Sequence, residues 1–381
     1  MSKSSMLRVV HVAEEVSEIA GGIPAVVYQL SKRLAERGIT TQVAYAKGTP
    51  DFLPAGMDSF AFPPAVLGRS WSWSYRLQTD VVKLTTRQNH DWPVFHIHGI
   101  WSAPQYFASR AANLSGVPFV ITAHGMLEPW LWNKQGFIIH VKKLLYWKLF
   151  GYPALSKASV IHAITPMERT HLSNLFPKNR IVIIPNAIDL AEYQDIDTSN
   201  EKQKVILFLG RIEPKKGVDI LLKSFARANL DKNWKMIIVG PFWSNAYQLQ
   251  LEKIVTEFNL GNRVKFMGPV FGEEKLRLLR SSWVMVVPSH SEVVGLVNLE
   301  AAAMLLPSIT THQTGLYDWE AGGGLLIQPD VVDLQKALER VCLWSDRERE
   351  ERGFASRKLI QSRYSWEAVL PMWISLYQSL I

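Results

Sequence analysis

Apolar residues fall along this chain in short dense runs. After each run comes a polar, glycine-bearing stretch, and then apolar positions at helical spacing. The first run is Leu7-Arg8-Val9-Val10-His11-Val12, followed by Gly21-Gly22-Ile23-Pro24 and a helix from Ala25 to Leu34. Thr40 to Tyr45, Val94 to His98, Val117 to Ala123, Ser159 to Thr165 and Arg180 to Ile184 repeat the strand pattern. Residues from Trp101 to about Asn113 read as a helix. Another opens at Thr165, with Thr165 as N-cap, Pro166 at the first position and Glu168 at the third. Short runs rich in β-branched residues fit strands buried on both faces of a sheet, and their alternation with helices predicts a doubly wound parallel α/β arrangement. Residues 50–75, rich in Pro, Phe and Trp, predict no regular element.

The pattern then breaks and restarts. Residues 190–203 are polar and acidic, lack apolar periodicity and read as a linker. Val205 to Gly210, Lys235 to Gly240, Arg263 to Gly268, Trp283 to Val287, Ser308 to Thr311 and Gly324 to Ile327 form a second series of strands. A helix runs from about Val218 to Ala228, and another closes the chain from Ser365. A length of 381 residues suits two cores better than one. The expected organisation is one domain over residues 1–190 and a second over 200–365.

Ligands of open parallel sheets bind beyond the carboxyl ends of strands, so polar residues there carry the candidate chemistry. After Trp283–Val287, Glu292 sits where the strand stops. Gly295 permits close backbone approach, a helix opens near Leu296-Val297, and Glu300 follows Glu292 by eight positions. A helix start offers free N–H groups to an anion. Two acids framing such a site suit a ligand with a phosphate in the middle and hydroxyls on both sides, as in a nucleotide sugar. Arg211 and Lys216 follow the strand Val205–Gly210, and a guanidinium with an ammonium suits a diphosphate whose charge grows as it leaves. Gly21-Gly22 can bring backbone N–H groups to a phosphate, or can simply make a tight turn. Two strands end in His-Gly, at His98-Gly99 and His124-Gly125. Each histidine reads as a site residue or as a satisfied structural one, and His98 with Trp101 forms a candidate acceptor-side pair.

Taken in order, these motifs resemble those of the family 4 glycosyltransferases, retaining enzymes of the GT-B fold. The matching elements are Gly21-Gly22, His124-Gly125, Pro185-Asn186-Ala187-Ile188-Asp189, Gly210-Arg211 through Lys216-Gly217, and Glu292 through Glu300. The sequence departs from the usual pattern at Ala187, where glycine is common, and at Val293-Val294, where a small residue and an aromatic are usual. The resemblance implies two Rossmann-like domains facing a central cleft, with the helix 366–381 packing back on the first. It implies that Glu292 contacts the donor sugar and Glu300 the ribose. The amides of Gly295, Leu296 and Val297 would face the diphosphate, and the backbone at Val270 the base. Gly21 and Gly22 would face the donor, and His124 would lie beside the transferred sugar. The donor would be a UDP- or GDP-sugar, with no other cofactor. No Asp-x-Asp pair follows a strand and no His/Cys cluster is visible, so no metal is expected, and Arg211, Lys216 and the helix at Leu296 would take its place.

Composition narrows the setting. Hydrophobic content of 48% with 20% charged residues describes a globular protein, and the single Cys342 excludes an internal disulfide and fits a reducing compartment. The first residues do not read as a signal peptide, and no run approaches the roughly 20 apolar residues of a membrane span. The net charge of +8 resides entirely in residues 1–190. That points to an anionic partner, and the lack of any helix-turn-helix, zinc or RNP pattern argues against nucleic acid. Leu131 to Tyr152 interleaves Lys134, Lys142, Lys143 and Lys148 with aromatic and aliphatic residues. This segment reads either as a helix covering the sheet or as one lying on an anionic bilayer. The expected protein is a metal-independent retaining hexosyltransferase. It is expected in the cytoplasm or peripherally at the inner face of the cell membrane. It would extend a glycan or lipid-linked oligosaccharide for cell-surface polysaccharide. The alternatives are an epimerase of the same fold and a non-catalytic nucleotide-sugar binder.

Overall fold

The computed structural model describes residues 6–17, 21–87, 91–128, 137–194 and 202–381. They fall into two compact units, Met1–Asn186 with Val369–Ile381, and Ala187–Ala368. The first holds a seven-stranded parallel sheet of β1 (Met6–Val16), β2 (Thr40–Gly48), β3 (Asp58–Ala61), β4 (Asp91–His98), β5 (Phe119–Thr122), β6 (Val160–Ala163) and β7 (Ile181–Ile183). The second holds a six-stranded parallel sheet of β8 (Val205–Leu209), β9 (Lys235–Val239), β10 (Val264–Met267), β11 (Val284–Val287), β12 (Ser308–Thr311) and β13 (Leu325–Ile327).

Strand order is β3-β2-β1-β4-β5-β6-β7 in one sheet and β10-β9-β8-β11-β12-β13 in the other. Each order reverses once, between β1 and β4 and between β8 and β11. At such a switch point successive loops leave the sheet in opposite directions, and the strands' carboxyl ends open a crevice. The fold class expected from the sequence, two Rossmann-like doubly wound sheets, is the one observed.

Local boundaries differ in instructive ways. β1 continues past Val12 to Val16, because Ala13 and Val16 are buried against Val27 of the helix Gly22–Glu36. Residues 50–75 are not wholly irregular: Asp58–Ala61 pairs with β2 as an edge strand, an order set by tertiary pairing that no local pattern announces. In the basic aromatic segment, Leu131 to Gly136 and thus Lys134 lie outside the described residues. Phe137–Tyr146 is α-helical, Trp147–Gly151 forms one π turn, and Tyr152–Leu155 resumes the α-helix. The widened turn carries Trp147 inward, 5.6 Å from the Phe176 ring, and leaves Leu149 and Phe150 exposed. The expected linker begins with a 3-10 turn whose Tyr193 is buried, and residues 195–201 lie outside the described set.

In the first sheet the strands' alternation separates two kinds of interior. Val10, Phe95, Ile97, Phe119, Ile121 and Ile161 share one apolar core with Leu77, Leu84 and Ala108. Near the amino end of β1 the wholly buried Arg8 donates to Asp91 Oδ2 at 2.7 Å, Gln42 Oε1 at 2.8 Å and the Thr86 carbonyl at 2.6 Å. A buried guanidinium is tolerated only with its partners in place. Asp91→Ala should therefore lower the first unit's unfolding free energy by about 3–5 kcal/mol. Urea denaturation of the two proteins measures this, and a difference under about 1 kcal/mol, the scale of an exposed pair, would show that the ion pair is not needed.

Candidate active site

The second unit assembles its polar residues at the β8/β11 switch point. After β8 the chain turns through Pro214–Lys216 and enters the helix Val218–Arg227 at Gly217. Gly217 has φ +67°, and a Cβ there would lie 2.3 Å from the Pro288 carbonyl oxygen, so only glycine lets the loops after β8 and β11 touch. They are further joined by the His290 amide donating to the Lys215 carbonyl at 2.8 Å. This contact brings the Lys216 ammonium onto the Glu292 carboxylate as an ion pair. Arg211 is exposed at the end of β8, and its guanidinium has no ion pair or hydrogen bond among the described residues.

Gly295 caps the helix Leu296–Ala303, and the amides of Leu296 and Val297 open it, where N–H groups have no intrahelical acceptor. Asn298 anchors this helix to β12. Its buried amide donates to Thr310 Oγ1 at 3.4 Å and accepts from Ser308 Oγ at 3.1 Å. Glu300 accepts from Lys275 Nζ at 2.9 Å through Oε1, while its buried Oε2 has no hydrogen-bond partner. Burial, then the neighbouring Glu300 carboxylate, push the Tyr193 phenol well above its ordinary range. Val294 is buried at the position before the glycine, and Val293 is half-buried. Val270 is half-buried beyond β10, three strands from β11, hence roughly 14 Å along the sheet at ordinary strand spacing. Lys275 and Tyr193, which touch the site's second acid, carried no sequence signal of their own.

In the first unit the switch point lies between β1 and β4. Gly21 (φ +86°) caps the helix Gly22–Glu36, and a Cβ built on Gly21 or Gly22 meets nothing within 4 Å, so the space over this helix start is open. A neighbouring pocket of about 200 Å³ is lined by Glu14, Glu15, Pro24, His98, Trp101 and Met126 among others. It places His98 and Trp101 on one cavity. Trp101 Nε1 donates to the Met126 carbonyl at 3.3 Å.

Neither His98 nor His124 stands alone. Alternation puts His11 of β1, His96 and His98 of β4, Thr122 of β5, His124 just after β5, and His162 of β6 on the face opposite the apolar core. There they form two hydrogen-bonded chains. In one, His162 Nε2 faces the Ile184 carbonyl at 2.7 Å and so carries the proton, and His162 Nδ1 accepts from Thr122 Oγ1 at 2.8 Å. Thr122 Oγ1 in turn accepts from His96 Nε2 at 2.7 Å, and His96 Nδ1 accepts from the Tyr377 hydroxyl at 2.7 Å. The carbonyl at one end fixes every proton in that chain. In the other, His11 Nδ1 meets His98 Nε2 at 3.0 Å, and His98 Nδ1 meets His124 Nε2 at 3.0 Å. His124 takes an uncommon φ of +52°, and its turn is held by Glu168, whose carboxylate accepts from the amides of Gly125 at 2.8 Å and Ile164 at 2.7 Å.

The sequence showed no histidine cluster, but the fold builds one. Nitrogens of His11, His96 and His98 lie within 4.8 Å of one another. Both nitrogens of His96 are taken by Tyr377 and Thr122, and His11 and His98 are bonded to each other, so the trio is occupied as a hydrogen-bond network rather than open as a ligand set. Desolvation lowers the pKa of His11 and His124 to about 3 and that of His162 to about 4, and with neighbouring rings it lowers His96 and His98 well below 6.5. Burial raises Glu168 to about 7, against the pull of its two amide donors.

Two family models match adjoining parts of the chain. Residues 20–192 match "Glycosyltransferase Family 4", and residues 190–354 match "Glycosyl transferases group 1". A D-inositol 3-phosphate glycosyltransferase of Frankia alni is 27% identical over 341 residues, covering 81% of this chain and 82% of that protein. One from Geodermatophilus obscurus is 25% identical, covering 94% and 84%. Among solved structures, the sucrose-phosphate synthase of Thermosynechococcus elongatus superposes with a TM-score of 0.74 at 21% identity, covering 98% of this chain and 99% of that one. Anabaena HepE in complex with UDP and glucose superposes with a TM-score of 0.75 at 17% identity, covering 98% and 100%. These likenesses show the GT-B fold.

The histidine network has a pH signature. The five histidines keep folded pKa values below 6.5, so the unfolded chain binds protons that the folded one refuses. Their contribution is fully present above about 6.5 and is lost as pH falls, by about 1.4 kcal/mol per group per pH unit. Glu168, raised from 4.5 to about 7, works in the opposite sense between those values, one group against five. The first unit should lose stability between pH 7 and pH 5. Denaturation midpoints measured across that interval test this, and a flat or rising curve contradicts it.

Proposed function

The chain belongs to the group 1, family 4 glycosyltransferases, and from that premise we propose that it moves a hexose from a UDP- or GDP-sugar to a glycan or lipid-linked oligosaccharide, with retention at the anomeric carbon and without a metal ion. The observation that carries this reading is the β8/β11 switch point. There the Lys216–Glu292 pair, an unpartnered Arg211, and the Glu300 helix opening at Gly295 line one strand edge. The bond from anomeric carbon to the β-phosphate oxygen breaks, and the acceptor oxygen bonds to that carbon and gives its proton to the departing phosphate oxygen. The nucleoside diphosphate leaves with the electron pair.

Each residue has a task in that step. Arg211 and Lys216 balance charge on the departing diphosphate, helped by the amides of Gly295, Leu296 and Val297. Glu292 holds the sugar hydroxyls, and its salt link to Lys216 ties sugar position to phosphate position. Glu300 holds the ribose, and the backbone at Val270 meets the base. Gly21 and Gly22 give backbone N–H groups to the donor. His124 bonds a hydroxyl of the transferred sugar, and the pocket at His98 and Trp101 receives the acceptor. The complex of the relative HepE with UDP supports the choice of donor.

Among the described residues no helix is long and apolar enough to cross a membrane. We place the acceptor at an anionic bilayer surface because Leu144, Leu145, Leu149, Phe150 and Tyr152 are exposed beside Lys142 and Lys148 on a single helical segment. Such a surface fits a step of cell-surface polysaccharide synthesis on the cytoplasmic side.

Two outcomes test these statements. With donor and acceptor supplied, Glu292→Ala and Arg211→Ala should each lower kcat by about 10²–10³-fold in a nucleotide-release assay, with the fold intact by circular dichroism. Full activity of Glu292→Ala removes that residue from the mechanism. Interconversion of the sugar without an acceptor identifies an epimerase, and no release under any condition identifies a binder. Leu149→Asp with Phe150→Asp should abolish co-sedimentation with vesicles containing anionic lipid while leaving soluble-acceptor turnover unchanged. Undiminished sedimentation places the membrane contact elsewhere or nowhere.

A further inference from the structure

The chain His11–His98–His124 has one dry end and one wet end. His11 is wholly buried, and its Nε2 has no hydrogen-bond partner. His124 keeps part of its surface, and no partner is found for its Nδ1 among the described residues. Between the ends, each contact is a nitrogen–nitrogen distance of 3.0 Å, so one ring donates and the next accepts. Three neutral rings in series therefore allow only two arrangements. In one, every proton points from His11 toward His124. In the other, every proton points back.

The dry end decides between them. A bare ring nitrogen left unpaired in the interior is an under-satisfied acceptor, which folded proteins tolerate better than an orphaned buried N–H. His11 Nε2 is then bare and its Nδ1–H donates to His98 Nε2. His98 Nδ1–H donates to His124 Nε2, and the remaining proton of His124 sits on Nδ1, at the accessible end where water or ligand can accept it. We infer that His11 and His98 are positioning residues that lock His124 as its Nδ1–H tautomer, making it a hydrogen-bond donor to a ligand oxygen rather than a base. The backbone is fixed to match. Gln105 Nε2 donates to the His98 carbonyl at 2.8 Å, and Glu168 holds the Gly125 amide at 2.8 Å, so the rings cannot drift apart. His124 also stays neutral across the physiological range, so a charged contact with phosphate is not its part.

The inference rests on the glycosyltransferase reading only for its kinetic arm, and its spectroscopic arm stands without it. In full-length protein labelled with ¹⁵N-histidine, two-dimensional NMR distinguishes protonated from bare ring nitrogens. The expected wild-type spectrum shows His124 with a protonated Nδ1 and a bare Nε2. His11→Asn keeps a donor near the Nδ1 position and should preserve this pattern, whereas His11→Leu removes it and should give His124 a mixture of tautomers. In turnover, His11→Leu should lower kcat by about 10- to 100-fold, as loss of an orienting partner does, with KM for the donor little changed, and His11→Asn should restore most of it. A wild-type His124 protonated on Nε2 overturns the inference, as does a tautomer indifferent to residue 11. If no nucleotide sugar turns over, the glycosyltransferase reading fails while the spectra still decide this one. If His11→Leu does not fold, the wild-type spectrum alone decides it.

Discussion

A polar group taken out of water inside a protein must find another partner, and in this chain that constraint governs a whole face of a parallel sheet. His11, His96, His98, Thr122 and His162 are all buried on it. Leaving any one unpaired costs about 1–3 kcal/mol, comparable with a large fraction of a domain's net stability. The structure meets the requirement by linking the rings in two hydrogen-bonded chains, so that His96, His98 and His162 have both nitrogens paired and only the terminal His11 Nε2 stays bare in the interior. Charging any ring would break this alternation, because an imidazolium has two donors and no acceptor. Low pKa values and an ordered proton arrangement are therefore two descriptions of one packing fact. The terminal helix Trp366–Gln378 is part of it: the Tyr377 hydroxyl ends one chain at His96, and the Trp373 ring lies 4.8 Å from His96 and 4.5 Å from His162. Residues more than 200 positions apart in sequence are joined by the need to close a hydrogen-bond chain.

The second unit handles polarity by the opposite means. Its site lies at the solvent edge of the sheet, where charge can be kept because water and counter-charge are both near. Lys216 and Glu292 neutralise each other, as do Lys275 and Glu300. Pairing lowers the cost of holding two acids and two bases in one place, and it leaves Arg211 as an uncompensated cation at the end of β8. On the proposed reading, a diphosphate meets there the Arg211 guanidinium, the Lys216 ammonium shared with a carboxylate, and a helix start. The glycine at 217 makes this arrangement possible by letting two loop backbones touch, so the backbone conformation of an uncharged residue decides where the neighbouring charges fall.

The two-sheet architecture was legible because it rests on strong, redundant signals. Uncharged β-branched runs, their alternation with helices, and a polar break near residue 190 all agree, and each survives errors of a few residues at any boundary. The acids, Arg211 and Lys216 were legible for a similar reason: they follow strands directly, and motif spacing fixes them. What the sequence did not yield is what depends on partners distant in the chain. β3 is a strand only because β2 offers an edge. Lys275 reaches Glu300 from a helix of its own, and Tyr193 does so from a segment read as linker. The histidine face was visible in principle. In Val94-Phe95-His96-Ile97-His98, Val120-Ile121-Thr122-Ala123-His124 and Val160-Ile161-His162-Ala163, the polar residues recur with period two and therefore share one side. Treating each histidine as the end of its own strand concealed that alternation.

Period two also explains why His98 joins two environments that were read as one. Its backbone ends β4 at the switch point, so part of the residue reaches the pocket with Trp101. Its ring points into the sheet's polar face, where His11 and His124 take both nitrogens. A histidine with no free nitrogen has nothing left to offer an acceptor molecule except apolar surface. Chemistry at this edge must then come from the neighbour at the exposed end of the chain, and His124 is that neighbour, held in a left-handed turn that a bulky residue adopts only under constraint. Glu168 supplies the constraint with two backbone amides. The left-handed turn, the buried acid beneath it and the ring behind it are thus parts of one device that fixes where the half-buried His124 ring sits.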